Sequence, residues 1–70
     1  MPRFIGHALD QMERRGITKK DVYFCLNDHD VRLIPKKGYE VYFVTHPSGK
    51  RLKVVLNAKA NMVVTAVWED

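Results

Sequence analysis

The spacing of apolar residues changes near the middle of this chain, and that change limits the fold more than any other feature. In the first half, apolar side chains recur at the intervals of one helical face, as at Phe4, Ala8 and Met12. In the second half they alternate with a period of two, which is typical of strands, as at Leu52 and Val54. The pattern therefore predicts an α+β domain in which helices precede a sheet.

The first half predicts two helices, over Phe4–Arg14 and about Lys19–Leu26. Gly16 stands where a glycine cap would end the first helix. Thr18 is a good N-cap residue for the second helix, and Asp21, three residues later, completes a short capping box. Both helices are expected to pack on one face of the sheet that follows.

The second half predicts three or four antiparallel strands, with a hairpin loop that contains Gly49 in a left-handed conformation. The helices should cover the side of Leu52 and Val54, which leaves Arg51 and Lys53 on the open face. The last strand is apolar on both faces, so either it is covered on both sides or its second face meets a partner. The predicted strands are Val31–Ile34 at an edge, Tyr39–Thr45, Arg51–Asn57 and Met62–Trp68.

Length and cysteine content bound the class of protein. We expect one domain, at residues 1–70, because 70 residues supply a single small core. The one cysteine, Cys25, excludes an internal disulfide, and secreted domains this small usually need several. Neither a signal peptide nor an apolar run of the roughly 20 residues that span a bilayer is recognisable. We therefore expect a cytoplasmic protein with no membrane partner.

The charge balance indicates an anionic partner. Twelve lysine and arginine residues face eight acidic ones, which gives a formal net charge of +4. A positive field of this kind raises the local concentration of nucleic acid, so RNA is the expected partner. The alternative is that the charge serves only solubility, since a few net charges are normal for small soluble domains.

The run His7-Ala-Leu-Asp-Gln-Met-Glu-Arg-Arg-Gly-Ile-Thr-Lys-Lys-Asp-Val22 resembles the opening of a family of small bacterial and phage proteins, catalogued as domain of unknown function 4258. The strands at Arg51–Val55 and Val63–Trp68 are similar to that family's Arg-hydrophobic-basic strand and to its closing Val-Val-Thr-Ala-aromatic strand. The resemblance thus covers nearly the whole chain. Family members usually carry an arginine four residues after the histidine, where this chain has Gln11.

That family resembles, at the level of fold, the metal-independent ribonuclease toxins of the RelE, barnase and colicin type. The resemblance implies RNA cleavage without a cofactor, and an antitoxin or other protein as a further partner. It also implies residue roles: His7 as acid or base, Arg51 as the cation that stabilises phosphate charge, and Thr65 as the group that orients the phosphate.

The residues themselves are compatible with that chemistry. Cleaving RNA without a metal needs a base, an acid and cations for the phosphate, and histidine suits the first two roles. His7, Gln11 and Arg14 share one ridge of the first helix, where Gln11 offers a hydrogen bond without charge. We expect the RNA to contact Gln11, Arg14, Arg15, Tyr42 and Lys53.

Structural explanations remain open for each of these residues. His7 is equally well an exposed helix residue, Thr65 a simple strand former, and Arg51 a side chain that keeps the sheet face wet. Cysteine and histidine lack the paired spacing of metal ligands, so neither a metal nor a cofactor is expected. The competing functional hypothesis is a non-catalytic module that binds RNA or protein through the open sheet face, alone or as a homodimer.

Overall fold

The computed structural model describes residues 2–69 and contains two helices and a five-stranded mixed sheet. This architecture confirms the α+β prediction. The elements in chain order are β1 (Arg3–Phe4), α1 (Gly6–Arg15), α2 (Lys19–Asp28), β2 (Val31–Lys36), β3 (Tyr39–Thr45), β4 (Arg51–Asn57) and β5 (Met62–Glu69).

The sheet has the strand order β1-β5-β4-β3-β2, so the first and last strands of the chain are neighbours. Strands β2 to β5 form a continuous antiparallel meander, as expected. The expectation of three or four wholly antiparallel strands is wrong in detail, because β1 adds a fifth strand and pairs with β5 in parallel. In this pairing Phe4 lies opposite Val63, which is why α1 begins at Gly6 and not at Phe4.

The predicted signals for helix ends are confirmed. Gly16 ends α1 in the left-handed conformation, with φ of 68°, a region that favours glycine. The hydroxyl of Thr18 accepts the backbone N–H of Asp21 at 3.1 Å, and the Asp21 carboxylate accepts the N–H of Thr18 at 3.0 Å. With both ends of the capping box made, α2 runs on to Asp28. Neither helix in residues 2–69 is long and apolar enough to cross a membrane.

Strands β3 and β4 have the predicted bounds, whereas β2 and β5 are longer than predicted. All six residues of β2 are exposed, as befits an edge strand. It continues through Pro35 to Lys36, and the register shifts between Leu33 and Lys36. Proline is tolerated there because an edge strand leaves one row of backbone groups unpaired.

The core lies between the helices and one face of the sheet. Helix α2 packs against β3 and β4, and α1 packs against β5. The predicted inner face of β4 is confirmed, since Leu52 and Val54 are fully buried. Leu52 and Val54 share one cluster with buried side chains from both helices, the turn between them and strands β3 to β5, namely Met12, Ile17, Val22, Cys25, Val44, Leu56, Val63 and Ala66.

Candidate functional site

A polar cluster joins α1 to β5 and contains two of the three residues predicted as catalytic. The Nε2 atom of His7 lies 2.8 Å from the side-chain nitrogen of Gln11, one helical turn further along α1. The side-chain oxygen of Gln11 accepts the hydroxyl of Thr65 at 2.8 Å. His7 is exposed, whereas Gln11 and Thr65 are half-buried. The structure thus connects His7 to Thr65 through Gln11.

Arg15 completes this cluster and fixes the orientation of the Gln11 amide. Its guanidinium Nη1 lies 3.4 Å from the Gln11 oxygen and 3.5 Å from the Thr65 hydroxyl, and it donates to the Ala66 carbonyl at 2.9 Å. Because a guanidinium only donates, the amide oxygen must face Arg15 and the amide nitrogen must face His7. The Nε2 atom of His7 then accepts the amide N–H, with its lone pair directed at Gln11.

An irregularity in β5 positions Thr65. Val55 pairs with Thr65 and the next residue of β4, Leu56, pairs with Val63, so β5 carries one extra residue, Val64. Such bulges bend a strand and redirect the side chains beside them. The Thr65 hydroxyl reaches Gln11 of α1, the helix that packs on β5.

Trp68 extends the cluster along β5. Its indole N–H donates to the backbone carbonyl of Arg15 at 2.7 Å. The ammonium group of Lys50 lies 5.5 Å from the centroid of the indole ring, and the ring of His46 meets the indole edge-on at 5.3 Å. Arg15 therefore contacts Thr65 through its guanidinium and Trp68 through its main chain.

The structure does not bring Arg51 to this cluster. Its guanidinium makes a two-pronged ion pair with Asp30, at 2.6 and 2.7 Å, and donates to Thr45 at 3.1 Å. In the sheet, Arg51 lies opposite Glu69, whereas Thr65 lies opposite Val55. Arg51 and Val55 are four residues apart on β4, which corresponds to about 13 Å. The carboxylate holds the pKa of Arg51 above its usual value, and Arg51 in turn holds the pKa of Asp30 below its usual value.

Three predicted RNA contacts also have other partners. Arg14 forms an exposed ion pair with Asp10 at 3.1 Å. The arginine that lies beside Gln11 is Arg15, where Arg14 was expected. The Lys53 ammonium lies 3.7 Å from Glu69. Tyr42 is on the inner face of β3, opposite Val54, where its hydroxyl bonds Glu40 and its ring packs against His29. Tyr42 thus lies on the helix-covered side of the sheet, and its contact with RNA stays a prediction.

The unpaired positive charge lies away from the centre of the open sheet face. Four of the twelve lysine and arginine side chains form ion pairs with carboxylates, and these include both cations of β4. The other eight have no carboxylate partner within residues 2–69: Arg3, Arg15, Lys19, Lys20, Lys36, Lys37, Lys50 and Lys59. Two of the eight contact Trp68, Lys50 through its ammonium and Arg15 through its main-chain carbonyl, so the cations without a carboxylate partner include two residues at this end of the molecule.

The second histidine, His46, makes hydrogen bonds that connect two elements of the fold. His46 Nδ1 accepts the backbone N–H of Ser48 at 3.1 Å, which leaves the proton on Nε2 to be donated to Asp21 at 2.8 Å. This contact ties the first turn of α2 to the loop between β3 and β4. Burial alone would raise the pKa of Asp21, but hydrogen bonds from Thr18 and His46 hold it below its usual value.

Cys25 and the remaining histidine, His29, do not form a second candidate catalytic or metal site among the described residues. The Cys25 thiol is buried and burial raises its pKa to about 12, which suits core packing. His29 bonds the carbonyl of Leu26 at 3.0 Å near the end of α2. Within residues 2–69, no three histidine, cysteine or acidic side chains are grouped to hold a metal ion.

Sequence reasoning missed the contribution of Trp68 and the position of Arg15 within the cluster. A signal for Arg15 was present, since His7, Gln11 and Arg15 are spaced by four residues each and therefore follow one helical ridge. No local pattern links Trp68 to α1, because their contact depends on how β5 packs.

No family model matches the chain, and no curated protein or solved structure matches it either.

Proposed function

We propose that this protein is an RNA-directed domain of the ribonuclease-toxin type, which cleaves RNA without a metal at the cluster of His7, Gln11, Arg15 and Thr65. The observation that carries the proposal is the chain of contacts from the exposed His7 through Gln11 to Thr65, with the Arg15 guanidinium at its centre. It combines a proton acceptor and a cation, two of the groups that a phosphodiester cleavage requires, with a hydroxyl donor.

In the proposed reaction, the 2′-hydroxyl of the substrate takes the place of the Gln11 N–H at His7 Nε2. His7 accepts the hydroxyl proton, O2′ forms a bond to phosphorus, and the bond from phosphorus to O5′ breaks. Water, or the imidazolium formed in the first step, supplies the proton for the departing O5′. The products are a 2′,3′-cyclic phosphate and a 5′-hydroxyl end, and no atom from the protein is transferred.

Arg15 and Thr65 are proposed to act on the phosphate. The phosphate gains negative charge as O2′ attacks, and the guanidinium donates in a geometry that suits phosphate oxygens. Arg15 also sits at the C-terminal end of α1, where a cation is stabilised by the helix dipole. Arg51 has no part in this proposed site, because its guanidinium is paired with Asp30 and its position in β4 lies about 13 Å along the strand from the residue opposite Thr65.

Cleavage of an end-labelled RNA in the presence of EDTA tests the proposal. We expect the wild-type protein to cleave and His7→Ala to be slower by about 10²–10⁴, the usual contribution of a general acid or base. Arg15→Ala should be slower by about 10²–10³, as expected for the loss of one charge-stabilising donor. The cleaved RNA should carry a 5′-hydroxyl that a polynucleotide kinase can label directly.

His29→Ala is the matched control, because His29 lies outside the cluster and its ring packs against Tyr42. It should cleave at the wild-type rate, and circular dichroism should show that all three variants are folded. Equal cleavage by wild type and His7→Ala would show that the site is wrong or that a contaminant is responsible. Wild-type protein that retards RNA on a gel but never cleaves it would refute catalysis.

A second candidate function is a non-catalytic module that binds RNA or a protein. One observation favours it: His7 is the only acid–base side chain in the hydrogen-bonded cluster described within residues 2–69, whereas cleavage needs both a base and an acid. A protein partner, whether an antitoxin or a second copy of the chain, is proposed to use the exposed edge strand β2. Light scattering would distinguish a homodimer from a monomer, and gel retardation of RNA that is not cleaved would support RNA binding.

A further inference from the structure

We propose that Trp68 is a stacking platform for a base of single-stranded RNA, next to the cluster of His7, Gln11, Arg15 and Thr65. This inference rests on the proposed function, because it names the form of nucleic acid that the same site would take. The carrying observation is the placement of an indole ring, flanked by a cation, on the strand that also supplies Thr65.

The environment of Trp68 holds the ring in place, with the His46 ring edge-on at 5.3 Å and the flexible side chain of Lys50 over the indole. The ring packs against the core at one side, and its N–H is fixed by the carbonyl of Arg15. The ammonium of Lys50 lies over the ring face, but Lys50 is exposed and has no carboxylate partner among residues 2–69. A nucleobase can take the place of Lys50 on the ring, and the freed ammonium can then pair with a phosphate.

The position of Trp68 suits an RNA strand that passes the proposed cleavage site. Thr65 and Trp68 are three residues apart on β5, which corresponds to about 10 Å, a distance that a short run of nucleotides spans. Arg15 contacts both, Thr65 through its guanidinium and Trp68 through its main-chain carbonyl. A phosphate held at Arg15 therefore places a neighbouring base within reach of the indole ring.

Stacking on a side chain selects single-stranded RNA. In a duplex the base faces are already covered by the adjacent base pairs, so only an unpaired base can lie flat on an aromatic ring. Such stacking tolerates any base, because every base has a flat aromatic face. The predicted ligand is thus defined by an accessible base beside a phosphate, and no sequence preference is required.

Trp68 is the only tryptophan of the chain, so its fluorescence reports directly on this contact. The probe is a short 2′-O-methyl oligouridylate, which lacks the attacking hydroxyl and is not cleaved. Its partner probe is an abasic chain with the same number of phosphates. We expect the oligouridylate to quench Trp68 and the abasic chain to leave the fluorescence unchanged and bind roughly five- to hundredfold more weakly, the usual effect of losing one stacked base.

Two lysine variants control for charge. Lys50→Ala should weaken binding of the oligouridylate, whereas Lys37→Ala removes an equally exposed, unpaired lysine from the turn between β2 and β3 and should bind like wild type. Trp68→Phe, which keeps an aromatic face, should retain most of the preference for the oligouridylate over the abasic chain. Equal affinity for the two probes, or tighter binding of a duplex than of the single strand, would overturn the inference.

The outcome separates this inference from the proposed function. Quenching by the oligouridylate without any cleavage of ordinary RNA would support stacking and refute catalysis. Cleavage of ordinary RNA that depends on His7, with no change in Trp68 fluorescence when the probe binds, would support catalysis and refute stacking.

Discussion

Removing the Asp21 carboxylate should destabilise the protein by a predictable amount. The carboxylate closes the capping box with Thr18 and accepts the Nε2 proton of His46, and its side chain is only 21% exposed. Losing a capping contact costs about 1 kcal/mol. Losing a second, partly shielded hydrogen bond costs about 1 kcal/mol more at most. Asp21→Ala should therefore lower the free energy of unfolding by about 1–2 kcal/mol, a large part of the roughly 3–5 kcal/mol expected for a domain of this size.

Urea denaturation followed by Trp68 fluorescence would measure this loss. With a slope of about 1 kcal/mol per molar urea for a small protein, the midpoint should fall by about 1–2 M. Asp10→Ala is the matched control, because the Asp10 carboxylate is 55% exposed and its ion pair within residues 2–69 is with Arg14 on the same helix. Its loss should cost less than about 0.5 kcal/mol.

The pH dependence tests the physical cause. The hydrogen bonds to Asp21 hold its folded-state pKa below the ordinary value of 3.8 despite its partial burial. A lowered pKa means that the carboxylate stabilises the fold above pH 3.8 and that this contribution is lost as the pH falls through the folded-state pKa. The difference between wild type and Asp21→Ala should shrink at low pH. A difference that stays constant from pH 7 to below the folded-state pKa, or one no larger than for Asp10→Ala, would refute the reasoning.

Three further outcomes follow from packing and burial. Leu52→Ala, at a fully buried position, should lower the free energy of unfolding by about 2–5 kcal/mol, so that much of the protein is already unfolded when a urea titration begins. Leu33→Ala, at a position 52% exposed, should change this free energy by less than about 0.5 kcal/mol. Gly16→Ala places a Cβ at φ of 68° and should cost about 1–2 kcal/mol by the same measurement. Cys25, with its pKa raised by burial to about 12, should resist iodoacetamide at pH 8 in the native protein and react once urea unfolds the chain, as mass spectrometry would show; rapid labelling of the native protein would contradict its burial.

The elements that sequence predicts well are those specified by neighbouring residues. The Thr18 capping box, the Gly16 cap and the hairpin between β3 and β4 each depend on a few consecutive side chains, and all three are present. Strand β1 is different, because two residues carry no periodicity and their pairing depends on β5 at the far end of the sequence. Its absence from the prediction also explains why the start of α1 is misplaced.

The candidate site likewise has a part that follows from local sequence and a part that depends on distant packing. His7, Gln11 and Arg15 are related by helical spacing alone, and only the choice between Arg14 and Arg15 needed the structure. Thr65 contacts this ridge of α1 at a point where β5 carries one extra residue, and no sequence pattern predicts that extra residue. The ion pair of Arg51 with Asp30 and the inward orientation of Tyr42 depend on tertiary structure. Strand β3 has aromatic side chains on both faces, so the alternation of its residues did not show which face is buried.

The parallel pairing of β1 with β5 has a consequence for the order of folding. Arg3 meets Met62 and Phe4 meets Val63, so these contacts close a loop that includes almost all of the described chain. Closing so long a loop is entropically costly until intervening structure shortens it, whereas the hairpins of β2 to β5 form between adjacent segments. The buried side of α1 packs on β5, so Ala8 and Met12 lose their exposure to water only after the last strand has joined the sheet. Because the cluster of His7, Gln11, Arg15 and Thr65 spans the same junction, we expect it to assemble only when β5 joins the sheet, and a nascent chain that lacks β5 has no such site.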